Sequence, residues 1–134
     1  MNVIVFTVEG DPVPQPRARI TTRGGYGHAY TPDRHPVHAY RRAIAQAAAD
    51  AGATPVTTPV CVEIEWVFLR PKSHSTKKGL KATAPALPRP DVDNIAKAVL
   101  DSLKGIAWRD DTLVRRLLVE KMYGPVARTT VRIS

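Results

Sequence analysis

Two clusters of proline decide where this chain can form regular structure. Pro12, Pro14 and Pro16 alternate near the N-terminus, and Pro71, Pro85, Pro88 and Pro90 bound and interrupt the middle of the sequence. Proline has no N–H to give a helix or a ladder and fixes its own φ, so neither stretch can run as a helix interior or a central strand. Six segments remain outside them. Residues 2–9 are rich in Val, Ile, Phe and Thr and read as a strand. Residues 36–51 read as a helix, with Pro36 in its first turn, Tyr40, Ile44, Ala47 and Ala48 on one face, and Gly52 to end it. Residues 59–70 are the clearest strand: Val60, Val62, Ile64, Trp66 and Phe68 alternate with Glu63 and Glu65. Residues 92–104 read as a helix closed by Gly105, with Ile95, Val99 and Leu103 as its apolar stripe. Residues 112–123 and 126–133 read as a hairpin turning at Gly124-Pro125. The order β-α-β-α-β-β predicts a single α/β (α+β) domain over residues 1–134, a mixed sheet with helices packed on it.

The 134 residues suit one domain that buries its own core. One cysteine, Cys61, leaves no internal disulfide and no multi-cysteine zinc site, and suits a reducing cytoplasm. No apolar run reaches membrane-spanning length, and the N-terminus has no signal-peptide pattern. Twenty Lys and Arg against twelve Asp and Glu give a formal charge of +8, which favours a polyanionic partner over a neutral one. Two exposed-looking segments carry much of that charge. Arg17, Arg19 and Arg23 lie in a glycine-bearing loop, and Lys72, Lys77, Lys78 and Lys81 lie in a stretch, 71–90, that has no acid. Such residues supply sequence-independent phosphate contacts, or are simply solvated loops. A structureless loop of about twenty residues is itself uncommon in a compact domain unless it is functional or disordered.

The chemistry concentrates in Arg89-Pro90-Asp91-Val92-Asp93-Asn94-Ile95-Ala96-Lys97. Pro90 keeps its predecessor extended, so Asp91 and Asp93 fall at the start of the helix. One acid there is a cap. A second acid two residues on adds like-charge repulsion, which a bound cation offsets. Mg²⁺ prefers carboxylate, water and phosphate oxygens, and a carboxylate-held metal both activates water and neutralises phosphate charge. Further acids come from Asp110 and Asp111, between the second helix and the next strand. Asn94, Lys97 and Asp101 share a polar helix face, on which Lys97 either meets a phosphate or pairs with Asp101. The histidines His28, His35, His38 and His74 have no clear metal-ligand spacing.

The run 89–97, followed by Leu100-Asp-Ser-Leu-Lys-Gly-Ile106 and Trp108-Arg-Asp-Asp111, resembles the RusA family of Holliday-junction resolvases. Gly10-Asp-Pro-Val-Pro-Gln-Pro-Arg-Ala-Arg19 and Tyr30-Thr-Pro32 also look like that family's opening segment, so the resemblance covers nearly the whole chain. It implies a homodimeric endonuclease that makes paired nicks in four-way or other branched DNA during recombination and repair. Mg²⁺ is the implied cofactor, with Mn²⁺ as a substitute. The implied catalytic residues are Asp91, Asp93 and Asp111, which hold the metal, and Lys97. The turn between Leu103 and Trp108 is one residue shorter than the familiar form, which leaves Asp110 as a rival metal ligand to Asp111. Arg17, Arg19, Arg23, Lys72, Lys77 and Lys78 are the expected DNA contacts, and Tyr26 and Tyr30 could stack on an unpaired base. Trp66 is expected in the core and Trp108 beneath the acidic turn. A bacterial or phage-encoded cytoplasmic protein is the family-level expectation. Two other classes remain: a non-catalytic basic DNA-binding module, and a Mg²⁺-dependent phosphohydrolase of small substrates. The second normally carries its Asp-x-Asp just after an apolar strand, whereas here a proline-rich loop precedes it.

Overall fold

A computed structural model describes residues 2–134. The main elements come in the expected order. They are β1 (Ile4–Glu9), α1 (Val37–Asp50), β4 (Val60–Phe68), α2 (Val92–Leu103), β7 (Val114–Tyr123) and β8 (Arg128–Ile133). Two small hairpins are added in segments expected to be loop. β2 (Arg19–Thr21) pairs with β3 (His28–Tyr30), and β5 (Ser75–Thr76) pairs with β6 (Gly79–Leu80).

The four long strands form one mixed sheet in the order β1-β8-β4-β7. β4 runs parallel to β7 and antiparallel to β8, which in turn pairs with β1. Both helices pack on one face. That face presents Phe6, Val62, Ile64, Trp66, Val131 and Ile133, and the helices meet it with Tyr40, Ile44, Ile95, Val99 and Leu103. Trp66 is fully buried, as its place in the alternation requires, with the Tyr40 ring edge-on at 5.6 Å. The Tyr40 hydroxyl bonds to the Thr129 hydroxyl, and burial pushes the Tyr40 phenol well above its ordinary pKa. The opposite face is solvated and carries the cross-strand pairs Arg128–Glu65 and Arg132–Glu63. Among the described residues, no helix is long and apolar enough to cross a membrane.

The last two strands correct the expected hairpin: β7 and β8 do not pair, because β4 lies between them. The physical reason lies in β4. Its residues on both faces are largely buried, so it belongs at the sheet centre, whereas β7 carries exposed Arg115, Arg116, Leu117 and Leu118 and takes an edge. Strands two places apart are roughly 10 Å apart, and a four-residue link reaches at most about 14 Å, so a short link does not demand a hairpin. Residues 124–127 cross the end of β4, where the Gly124 N–H donates to the Phe68 carbonyl at 2.9 Å. A Cβ on Gly124 would stand 2.6 Å from Cγ1 of Val67. Glycine is therefore required by close approach, a need that a turn signal does not reveal.

The middle stretch, 71–90, is also more organised than its prolines imply. Arg70 lies 4.2 Å above the Tyr123 ring and donates to the Pro85 carbonyl at 2.7 Å, while His74 meets the same ring edge-on. Tyr123, at the end of β7, thus anchors the start of the segment that displays Lys77 and Lys78, and Arg70 ties its later part to the same place.

The Gly124→Ala variant is expected to lose about 1–3 kcal/mol of stability through overpacking. In urea melts followed by circular dichroism, the midpoint should fall while the denaturant slope stays constant. An unchanged midpoint would remove the crossing constraint.

Candidate active site

The site begins where the proline-rich stretch becomes α2. Asp91 occupies the cap position with extended backbone (φ −70°, ψ 145°), and its carbonyl accepts from the N–H groups of Asn94 (3.1 Å) and Ile95 (3.2 Å). Its carboxylate makes no capping hydrogen bond. The cap explanation of this acid therefore applies to its backbone and leaves the side chain uncommitted. Asp93 sits in the first turn, where Oδ1 accepts the Asn94 N–H at 3.0 Å. Both carboxylates are exposed at the positive end of the helix dipole.

The buried Ile95–Val99–Leu103 stripe fixes how α2 is rotated. That rotation sets Asp93, Lys97 and Asp101, each four residues apart, along a cleft of about 640 Å³ between α2 and the edge strand β7. Ala96, Leu100, Leu117 and Val119 supply its apolar lining, and Asp111 also borders it. Asp91 and Asp110 do not line this cleft. Nor does Asn94, which sequence spacing grouped with Lys97; its backbone carbonyl takes the Gln15 N–H at 3.3 Å instead. The alternative reading of Lys97 is present too: Nζ lies 3.7 Å from Oδ2 of Asp101. This is a loose contact by an exposed lysine, in the weaker of the two i,i+4 orientations.

Asp110 and Asp111 have different partners. The chain leaves α2 through Gly105 (φ +79°), whose N–H donates to the Trp108 carbonyl at 2.7 Å. The Arg109 N–H donates to the Val56 carbonyl at 3.0 Å, which ties the turn to the segment ahead of β4. Trp108 is fully buried beneath the turn, as expected, and its indole N–H donates to Oδ1 of Asp111 at 2.8 Å. Asp110 instead caps the short 3₁₀ turn Asp111–Leu113, accepting from the Thr112 N–H at 3.0 Å. That hydrogen bond holds the Asp110 carboxyl below the usual carboxylate range. One acid is thus spent on local structure, while the other is oriented at the cleft.

Among the described residues, no three His, Cys, Asp or Glu side chains converge as a metal cage. Mg²⁺ does not need one. It keeps several waters and is commonly held by one or two carboxylates plus substrate phosphate, and Asp93 with Asp111 offers that hard-oxygen chemistry. Asp91 stands two residues from Asp93 with its side chain uncommitted. The expected DNA contacts lie elsewhere and are all exposed. Arg17 leads into the β2–β3 hairpin, which carries Arg19 and Arg23; Lys72 begins the next 3₁₀ turn; Lys77 and Lys78 form the β5–β6 turn. Tyr26 and Tyr30 are exposed on the first hairpin.

Three residues near the site escaped the sequence reading. Lys121 donates to the Pro90 carbonyl at 2.7 Å, immediately before Asp91. Its signal was a lysine in the alternating set Leu117, Val119, Lys121, Tyr123, where an inward side chain was due. Arg41 reaches from α1 to Oδ2 of Asp101 at 3.3 Å and to Oε1 of Gln15. No local pattern marks Arg41 or Gln15, because each acts across the fold.

A parallel-and-antiparallel sheet with two helices on one face and a carboxylate-lysine cleft defines a candidate phosphodiester-cleaving site. Comparison with known proteins then identifies the family. Residues 9–134 match the model of the endodeoxyribonuclease RusA family. The chain is also 35% identical over 139 aligned residues to the uncharacterized protein YqaN of Bacillus subtilis (strain 168), covering 99% of this chain and 96% of that one. The chain belongs to the RusA family. It is an endodeoxyribonuclease of the Holliday-junction-resolving class.

Trp108→Phe keeps a buried ring but deletes the hydrogen bond to Asp111. Removing the group that orients a metal-binding carboxylate commonly costs about 10- to 100-fold, so junction cleavage should fall by that factor while the fold persists in near-UV circular dichroism. Cleavage at the parent rate in a folded Trp108→Phe protein would show that the indole hydrogen bond is not what readies Asp111.

Proposed function

We propose that the whole chain acts as one Mg²⁺-dependent, structure-selective endonuclease domain, resolving four-way and related branched DNA by paired symmetric nicks in recombination and repair. The observation that carries this reading is the shared cleft of Asp93, Lys97 and Asp111. Asp93 and Asp111, with Asp91, hold the ion; Mn²⁺ substitutes for it. When bound, a hard divalent ion supplies water activation and charge neutralisation at the scissile phosphate. Lys97 contacts the phosphate and stabilises charge as it develops on the leaving oxygen. Trp108 keeps Asp111 turned to the cleft. Asp110 acts as a structural cap and takes no part in holding the ion.

The basic segments supply affinity. Arg17, Arg19 and Arg23 on the first hairpin, with Lys72, Lys77 and Lys78 on the second segment, contact phosphates without reading sequence. Tyr26 stacks on a base exposed at the branch point. The enzyme works as a homodimer, because a C₂ protein matches the two-fold symmetry of a four-way junction. Exposed Leu117 and Leu118 on edge strand β7 support a protomer contact beside the cleft. A cytoplasmic setting accords with this substrate and with the free Cys61, and a bacterial or phage origin is the family-level expectation.

The test uses labelled four-way junction, plain duplex and single strand, each with Mg²⁺ and with EDTA. Paired symmetric nicks confined to the junction and dependent on Mg²⁺ are expected. Equal cutting of duplex, or cutting in EDTA, overturns the reading. Lys97→Ala should lower kcat by about 10²- to 10³-fold, and Asp93→Asn should abolish cleavage while junction binding in EDTA persists. Parental cleavage by Asp93→Asn would remove this carboxylate from the reaction.

Replacing Lys77 and Lys78 together by alanine tests the second basic segment. The slope of log K against log salt should become shallower by about 1 for each phosphate that is no longer neutralised. A parallel displacement with the same slope would mean that neither lysine meets a phosphate.

A further inference from the structure

Asp101 presents a problem for any role of Lys97 at a phosphate. It lies on the same ridge of α2 and borders the same cleft, and its Oδ2 is 3.7 Å from the lysine ammonium. A carboxylate in that position both competes for the lysine and repels an incoming phosphate. The structure supplies a second cation for it. Arg41, on the neighbouring helix α1, places Nη2 3.3 Å from the same Oδ2. The same nitrogen donates to Oε1 of Gln15 in the proline-rich segment. Arg41 is only 24% exposed, against 62% for Lys97, so its charge is the better shielded from solvent and the better fixed. It is poorly provided for as a stability device, since its Nε is buried with no hydrogen-bond partner. A buried donor without a partner is a cost to folding.

We propose that Arg41 is a positioning residue for Lys97, acting through Asp101. By neutralising Asp101 from the α1 side, Arg41 leaves Lys97 in a weak, reversible contact from which it moves to the phosphate. Gln15 holds the guanidinium in place and ties it to the start of α2, because the Gln15 N–H donates to the Asn94 carbonyl. Without Arg41, Lys97 becomes the only close cation of Asp101 among the described residues, and the ammonium is drawn along the helix away from the substrate. This inference rests on Lys97 working at the phosphate, as proposed above.

Its signature is a charge-specific rescue. Arg41→Met should lower single-turnover kcat on a four-way junction about tenfold while KM changes by no more than about twofold. Adding Asp101→Asn to Arg41→Met removes the carboxylate that captured Lys97, and should restore kcat to within about threefold of the parent. Arg41→Lys, which keeps the charge but cannot serve Gln15 with the same fork, should also stay within about threefold. Melting temperatures and junction affinity in EDTA accompany each kcat. A merely structural Arg41 predicts activity that follows melting temperature and is not recovered by Asp101→Asn; that result overturns the proposal, as does an Arg41→Met enzyme with parental kcat. Should Arg41→Met fail to fold, Arg41→Lys decides: kcat within the threefold range supports the proposal, and a tenfold loss overturns it. Lys97→Met separates the two levels of argument. Full cleavage by Lys97→Met refutes the role of Lys97 itself, whereas a dead Lys97→Met beside a failed rescue refutes only Arg41.

Discussion

The burial of Ile95, Val99 and Leu103 against the sheet is the interaction on which the site depends. Each such side chain contributes about 1.5–3 kcal/mol when removed from water, and together they outweigh the roughly 1 kcal/mol that a side-chain cap would add. α2 can therefore start at Asp91 without using that carboxylate as a cap. The stripe also fixes the helix's rotation, and the rotation alone puts Asp93, Lys97 and Asp101 on the β7 side. Packing on one face of the helix thus sets which charges border the cleft on another.

Much of this was legible because local pattern and global fold agree. The alternation from Val60 to Phe68 specified β4, and the i, i+4, i+8 spacing of Ile95, Val99 and Leu103 specified α2 and its buried face. Both periodicities are properties of the chain itself. The pairing of β7 and β8 was not legible for the opposite reason. Gly124-Pro125 marks where the chain turns, but the insertion of β4 between two strands much later in the chain depends on which strand is most apolar on both faces. The decisive contact, Gly124 against Val67, is a tertiary one. The small hairpins were hidden by the prolines that flank them and by their length: three-residue strands such as Arg19–Thr21 offer too little alternation to read.

The acids divide along the same line. Asp91 and Asp93 are found at the helix start, where only Asp93 lines the cleft, and that position was readable from sequence. Asp110 and Asp111 were indistinguishable there, being adjacent carboxylates in a turn of altered length. What separates them is the partner each finds: a backbone N–H one residue beyond Asp111 for Asp110, and a buried indole for Asp111. Trp108 was expected beneath this turn. Its polar N–H matters more than its bulk for the site, since it bonds Oδ1 of Asp111.

An enzyme that cuts a polyanion with carboxylates must hold negative charge at the point where its substrate's negative charge is densest. This chain separates the two demands in space. Its net charge of +8 is drawn largely from segments that do not line the cleft: the arginines on and before β2–β3 and the lysines around β5–β6. In the proposed function these attract DNA over about a Debye length, roughly 10 Å at 0.1 M salt, whereas the acids act only at contact range, where Asp93 and Asp111 would meet a cation and a phosphate together. Asp101 is the carboxylate that fits neither demand, being at the cleft but paired on two sides. Its two partners come from different helices, so its charge is balanced only when α1 and α2 are packed together. The packing that builds the core and the electrostatics that prepare Lys97 are then one condition, met by the folded chain as a whole.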